Sequence, residues 1–411
     1  MKVVGIVAEY NPFHNGHAYH IKKAKEMTGA DYCIVVMSGD FVQRGAPAIM
    51  DKYSRSLSAL TCGADIVIEL PVRFATASAE LFAYGAISLL ASLGITDCIC
   101  FGSECGNAEL LQDIAHVLVC EPVIYRQVLK EQLKSGLSFP AAREKALISY
   151  FSQKKLPYSE ELIHSTCSSP NNILGIEYCK AIEKLRLPME VFTFCRAENQ
   201  YHDETLSSNI SSATSIRRVL EQQQLSLLQQ QVPPSVYTIM TESHGHTFPI
   251  FYNDCSSILH YKLLSECEHL QDYAGISDSL RNRMKNKLPY FASAEQFTEL
   301  LKTKEVTYTS ICRALLHILL DIKGNIALDT KQYYIRVLGF RTTAASLLTA
   351  VKKNSSIPLL GKIADAENTL SSDAKPFFEH DIYASHIYQS LITSKFHSSF
   401  QHEYTRSILR V

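Results

Sequence analysis

The chain has 411 residues, is 46% hydrophobic and 20% charged, and carries a formal net charge of −1. That composition describes a water-soluble globular protein, and the length exceeds one ordinary core, so two domains are expected. Near-neutrality removes any global pull toward nucleic acid, although the part beyond residue 250 has more basic than acidic residues, which permits an RNA surface.

Lys2 to Ala8 (Lys-Val-Val-Gly-Ile-Val-Ala) reads as a short buried parallel strand. Glu9 to Phe13 breaks it, with Pro12 as the stop, and a helix is expected from about Gly16. Tyr32 to Met37 is a second strand ending at Ser38-Gly39. Asp51 to Cys62 reads as a helix exposing Lys52 and Arg55 near its start. Asp65 to Leu70 is a third strand, closed by Pro71. Ala79 to Leu93 is a helix capped by Gly94, and Asp97 to Phe101 is a fourth strand leading to Gly102-Ser103-Glu104. Residues 108–190 read as mostly helical, with an insertion-like stretch from Ser149 to Ser169 and a helix from about Asn172 to Leu185. Glu190 to Cys195 is a fifth strand, followed by Arg196. After Ile210 to Arg218 and a Gln-rich helix, Val232-Pro233-Pro234-Ser235 is the best boundary, and long helical patterns such as Ile311 to Ile322 dominate beyond about residue 250. The expected fold is therefore α/β, a doubly wound parallel sheet in residues 1–232 with a mostly α-helical domain in 233–411.

Twelve cysteines are scattered without a Cys-x-x-Cys pair, which suggests free thiols in a reducing cytoplasm. Cys98 and Cys100 read as small core residues, and their spacing to Cys105 fits no common zinc module. The N-terminal apolar run, interrupted at Glu9, is too short for a signal peptide. The most apolar segment, Leu81 to Ile95, is shorter than a bilayer span, so no membrane segment is expected.

His14-Asn15-Gly16-His17 follows the first strand and opens the first helix. Residues three apart face one point there, where free backbone N–H groups and the positive dipole end favour phosphate. Gly16 leaves space for a close ligand. The same four residues also read as a helix cap with a half-exposed partner. The pattern His-x-Gly-His resembles the signature of nucleotidyltransferases related to class I tRNA synthetases. The resemblance implies a Rossmann-type fold whose two histidines contact the triphosphate of ATP. Ile210-Ser211-Ser212-Ala213-Thr214-Ser215-Ile216-Arg217 enters a later helix and resembles the element of adenylyltransferases that touches the outer phosphates.

The likeness extends further. Val4 to His20, Ser38-Gly39-Asp40-Phe41-Val42-Gln43-Arg44-Gly45, Phe101-Gly102-Ser103-Glu104, Pro170-Asn171-Asn172-Ile173-Leu174, Tyr201-His202-Asp203 and Asp381-Ile382-Tyr383-Ala384 together resemble the bacterial tRNA(Met) cytidine acetate ligases. The resemblance implies an enzyme that converts acetate and ATP to acetyl-adenylate and acetylates N4 of the wobble cytidine of elongator tRNA(Met), with Mg²⁺ as an expected cofactor. It places ATP along Val7-Ala8-Glu9-Tyr10-Asn11-Pro12-Phe13-His14-Asn15-Gly16-His17-Ala18-Tyr19-His20, with Gly102, Asn172 and Arg196 as further contacts. His14 and His17 are the implied catalytic pair, and Ser211, Ser212 and Arg217 would hold the outer phosphates. No metal ligand is assigned. Asp40 and Ala46 stand where the family usually has Asn and Glu. Asp40 reads as a Mg²⁺ ligand, a charge that weakens ATP binding, or a turn residue. Lys52 is a candidate for substrate or phosphate contact.

Arg281-Asn282-Arg283-Met284-Lys285-Asn286-Lys287 is the densest basic cluster, aligned on a helix and followed by Tyr290 and Phe291. By charge alone it reads as a solvated face; the resemblance there and at Arg313 assigns Arg281, Arg283, Lys285 and Arg313 to tRNA. Two other readings stay open: a small-molecule adenylyltransferase acting on a cofactor precursor or other carboxylate, and an RNA-binding protein with a relict nucleotide fold.

Overall fold

The N-terminal apolar run forms β1 (Val3–Ala8), whose first four residues are buried. The computed structural model describes residues 1–196, 213–324 and 331–411. In chain order follow α1 (Asn15–Thr28), β2 (Tyr32–Ser38), a small hairpin of β3 (Phe41–Val42) and β4 (Ala46–Pro47), and α2 (Lys52–Thr61). Then come β5 (Ile66–Leu70), α3 (Ala79–Ser92), β6 (Cys98–Ser103), α4 (Ala108–Cys120), α5 (Pro170–Lys184) and β7 (Glu190–Cys195). Residues 149–169 hold the end of one helix, Phe139–Gln153, and a second, Glu160–Ser168, which the Ser159 side chain caps by accepting from the Leu162 N–H. Beyond β7 the elements used below are α6 (Ala213–Glu221), α7 (Asp278–Lys287), α8 (Tyr308–Leu319), β8 (Ile335–Phe340), β9 (Leu359–Leu360), α9 (Lys375–Phe396) and β10 (Leu409–Arg410).

The main sheet has the order β10-β8-β5-β2-β1-β6-β7, with β9 also on β8. Pairs among β1, β2, β5, β6 and β7 are all parallel. The chain turns from one side of β1 to the other between β5 and β6, which opens a crevice beyond the C-terminal strand ends. The expectation of a parallel sheet followed by a helical half needs one correction. β8 joins β5 antiparallel, and β9 and β10 pair parallel to β8. Segments on both sides of the expected boundary at residue 232 thus build one sheet. A six-residue stretch, Ile-Arg-Val-Leu-Gly-Phe, among helical patterns carries no local mark of the edge it will join.

Alternating side chains split into two apolar layers. Val3, Ile34, Val36, Ile66 and Ile68 pack with α3, α4 and α5. Val4, Ile6, Cys33, Val35, Cys98 and Cys100 pack with α1, α2 and α6. The second layer accounts for three of the cysteines as core residues, Cys98 and Cys100 among them as expected. A third core, including Leu280, Met284, Leu315 and Leu319, holds the later helices together and reaches the hairpin at Phe41. Among the described residues no helix is long and apolar enough to cross a membrane.

Candidate nucleotide site

Between β1 and α1 the chain makes a tight turn, with Tyr10 at φ 48°. The Tyr10 ring is buried between Phe13, at a centroid distance of 4.7 Å, and His17, at 4.9 Å. His14 takes the N-cap position of α1. Its Nδ1 accepts from the Gly16 N–H at 3.1 Å, and His17 Nδ1 accepts from the His14 N–H at 3.2 Å. The two rings stack with centroids 3.7 Å apart. The cap and the ligand readings of this motif are therefore compatible. Because each Nδ1 is an acceptor, the tautomer that the hydrogen bonds assign carries its proton on Nε2. Burial lowers the His14 pKa to about 3, with Arg196 and Arg217 adding to the effect. Burial, His14 and Arg196 depress His17 as well. Two neutral imidazoles, each with one Nε2–H donor, thus lie beside two guanidinium groups.

Gly16 serves this ring rather than an open space: a Cβ there would lie 2.9 Å from His14 Cε1. His20 is committed to the sheet, its Nε2 lying 3.0 Å from the Cys100 carbonyl oxygen. Asn11 Oδ1 accepts from the Ile49 N–H at 2.7 Å, and its carbonyl accepts from Arg217 Nη1 at 2.7 Å. That second bond draws α6, and with it the described part of the motif from Ala213 to Arg218, against the turn that carries the histidines. Ser211, Ser212 and the Tyr201-His202-Asp203 stretch lie outside the described residues.

The β6 end is braced from α5. Asn172 Oδ1 accepts from the N–H groups of Glu104, at 2.9 Å, and Cys105, at 3.0 Å. The Glu104 carboxylate in turn accepts from the Asn172 N–H at 2.8 Å and from Asn171 Nδ2 at 2.7 Å. Glu104 therefore caps α5, and Asn172, only 1% exposed, holds the loop with its oxygen. Arg196 Nη1 donates to Asn171 Oδ1 at 2.9 Å. A Cβ at Gly102 would meet Arg196 Cγ at 2.8 Å, so the glycine lets this arginine fold over the strand end. Glu104 and Asn171 are the residues that site reasoning from the sequence passed over. Their signal was the pairing of Phe-Gly-Ser-Glu with Pro-Asn-Asn.

Two histidine donors, Arg196 and Arg217 converge at the C-terminal ends of β1, β6 and β7. A family model described as HIGH Nucleotidyl Transferase matches residues 1–403. A tRNA(Met) cytidine acetate ligase of Acetivibrio thermocellus is 38% identical over 420 residues, covering 100% of each chain. This chain belongs to the tRNA(Met) cytidine acetate ligase family. A ligase of the same name from Thermoanaerobacter sp. is 41% identical over 392 residues, covering 94% of this chain and 95% of the relative. The crystal structure of Thermotoga maritima TmcAL bound with alpha-thio ATP superposes with a TM-score of 0.90 at 31% identity, covering 100% of both chains. Its apo form gives 0.91.

In this member of the ligase family, Lys52 and Arg55 contradict the exposed positions expected for them. Asp51 caps α2, accepting from Tyr53 and Ser54 N–H groups at 2.9 and 3.1 Å, and the helix directs both cations inward. Both are 0% exposed. Lys52 Nζ lies 2.9 Å from Glu69 Oε1, 2.8 Å from Glu403 Oε1 and 2.6 Å from Ser385 Oγ. Arg336 pairs with the same two glutamates. This closed cluster leaves Lys52 no open face for substrate. Arg55 instead donates to the carbonyls of Met50, Glu9, Ser38 and Gly39, stitching the β1 and β2 ends together. Asp40 belongs to the same cluster: its Oδ1 accepts from the Lys52 N–H at 2.9 Å, and burial raises its pKa to about 6 against the pull of Lys52. An asparagine carbonyl accepts that N–H equally well, so the departure at this position preserves the local geometry.

The basic cluster lies on α7 as expected, but its members differ. Arg281 pairs with Asp278 at 3.0 Å and Lys285 with Glu268 at 2.7 Å, both on the surface. Arg283 turns inward, donating to the Leu301 carbonyl at 2.7 Å. Tyr290 is 66% exposed, whereas Phe291 is stacked on His260 at 4.5 Å. Arg313 on α8 donates to Ser310 Oγ at 3.2 Å and is partly buried. Its backbone lies against the hairpin, since a Cβ at Gly45 would meet the Arg313 nitrogen at 2.4 Å.

Proposed function

We propose that this chain is an ATP-dependent ligase that makes acetyl-adenylate from acetate and acetylates N4 of the wobble cytidine of elongator tRNA(Met). The observation that carries the reading is the Arg217–Asn11 bond, which sets α6 beside the stacked histidines at the crevice. An acetate oxygen attacks the α-phosphorus, and pyrophosphate leaves. The cytidine N4 amine then attacks the acetyl carbonyl; AMP leaves and the amine loses a proton. His14 and His17 donate Nε2–H bonds to phosphate oxygens as charge builds, aided by the backbone donors of α1. Arg196, Arg217, Ser211 and Ser212 hold the remaining phosphate charge. Asn172 and Gly102 act by shaping the β6 end and placing Arg196.

Mg²⁺ fits this reading as an ion carried by the triphosphate. Glu9, Asp40 and Glu104 at this end of the sheet already accept protein donors, so phosphate oxygens and water would supply its ligands. Residues 1–232 supply the nucleotide site and residues 233–411 face the RNA, which is expected to present the cytidine unstacked. A reducing cytoplasm suits the free thiols and the RNA substrate.

The test is mass spectrometry of tRNA nucleosides after incubation with ATP and labelled acetate. Labelled N4-acetylcytidine at the wobble position is expected. Pyrophosphate release only with a different acid would move the chain to small-molecule adenylyl transfer. On the RNA side, Arg281→Gln with Lys285→Gln should weaken tRNA binding and make the log-affinity against log-salt slope shallower by about 2, one unit per lost phosphate contact. Their surface pairs are exchangeable at small cost. Arg283→Gln should leave that slope unchanged and lower stability, because its guanidinium braces Leu301. An unaltered slope in the double variant would remove α7 from the RNA surface.

A further inference from the structure

At the edge of the α/β unit away from the nucleotide crevice, the last turns of α4 and α5 lie side by side. His116 and Cys120 share one face of α4, one helical turn apart, and Glu183 faces them from α5. His116 Nδ1 lies 2.8 Å from Glu183 Oε1 and 3.7 Å from Cys120 Sγ, and Cys120 Sγ lies 3.8 Å from the same Glu183 oxygen. No part of the proposed reaction uses these three side chains.

We propose that His116, Cys120 and Glu183 form a surface zinc site that clamps α4 to α5. Zinc bonds of about 2.0 Å to nitrogen or oxygen and about 2.3 Å to sulfur set tetrahedral ligand atoms about 3.3 to 3.5 Å apart. The observed triangle is close to one face of such a tetrahedron. The imidazole–carboxylate edge needs to open by about half an ångström, which two surface side chains do without moving either helix. Imidazole, thiolate and carboxylate together form a borderline donor set that suits Zn²⁺ and disfavours Mg²⁺ or Ca²⁺. Water completes the fourth position. The ligands sit on packed helices rather than loops, so little order has to be gained on binding. Thiolate and carboxylate together neutralise the ion.

The consequence is structural. The opposite end of α5 carries Asn171 and Asn172, which hold Glu104 and Arg196 beside the crevice. Tying α5 to α4 at its far end stiffens the element on which that brace is built. The inference stands independently of which acid or RNA the crevice serves.

The test uses the full-length protein, stripped with a chelator and held reduced by a phosphine. Titration with Co²⁺ should give one equivalent of a thiolate-to-cobalt absorption band with the visible bands of a four-coordinate ion, displaced by Zn²⁺. Cys120→Ser and His116→Ala should each abolish the band or weaken Zn²⁺ binding at least ten-fold, whereas Cys267→Ser leaves both unchanged. Zn²⁺ should raise the thermal midpoint of the parent chain and not that of His116→Ala. Circular dichroism confirms that these surface variants fold. A band that survives Cys120→Ser comes from another cysteine and overturns the assignment, as does its absence from the parent chain.

Discussion

Replacing either His14 or His17 by alanine is expected to slow acetyl-adenylate formation about 100- to 1000-fold, the usual loss for removing one preorganised donor from a charged transition state. Pyrophosphate release from ATP and acetate measures it, and tRNA binding should persist. Each ring is fixed by its Nδ1 bond to a backbone N–H, so its Nε2–H is aimed without further ordering. Alanine at residue 14 also removes a helix cap worth about 1 kcal/mol. His14→Asn separates the two roles, since asparagine caps well but brings no Nε2–H. It should restore stability and leave adenylation impaired. Parental activity in His14→Asn would reduce the motif to a cap.

The same rings set a pH dependence. The folded-state pKa of His14, about 3, lies below its ordinary value of 6.5, so the unfolded chain binds more protons between those limits. The stability from a neutral buried His14 is complete above about pH 6.5 and is lost as pH falls toward 3, by at most about 1.4 kcal/mol per unit. His17, depressed for the same reason, adds to the slope. The thermal midpoint without ATP should therefore fall with acid in the parent chain and fall less steeply in His14→Asn.

The second large effect is expected at Lys52. Lys52→Met leaves Glu69 and Glu403 sharing Arg336 in a buried site and takes away the Lys52 ammonium beside Asp40, and removing one partner from such a cluster costs about 3–5 kcal/mol. Urea denaturation should show it as a lower midpoint. Lys52 ties helix α2 to strand β5 through Glu69, to helix α9 through Ser385, and to the C-terminal segment through Glu403. The loss should thus reach both sides of residue 232 in one transition. A midpoint within error of the parent would mean that the cluster is compensated elsewhere. The same cluster explains why Asp40 can replace an asparagine: its position is spent on the Lys52 N–H rather than on a ligand.

What could be read along the chain was what local geometry dictates. The β1 strand, the break at Pro12 and the start of α1 follow from apolar runs, a proline and helical spacing within about twenty residues. The strand Glu190 to Cys195 was legible for the same reason. His14 and His17 meet because an N-cap residue and the third residue of its helix close reciprocal side-chain to backbone bonds, a relation set within one turn of chain. Lys52 and Arg55 show the limit. Two cations near a helix start read as solvated charges until Glu69, Glu403 and the carbonyls of Glu9, Ser38 and Gly39 arrive from other parts of the chain. Asn172 and Gly102 were placed beside the nucleotide, yet their side of the geometry is a brace and a clearance for Arg196, which depend on where α5 and β7 come to rest. The antiparallel joining of β8 to β5 is of the same kind. Local pattern determined the strands, the capped helix and the paired imidazoles, because short-range sterics and periodicity act before the chain folds. Tertiary structure alone decided which charges are buried and which strands share an edge, because burial and pairing depend on partners distant in sequence.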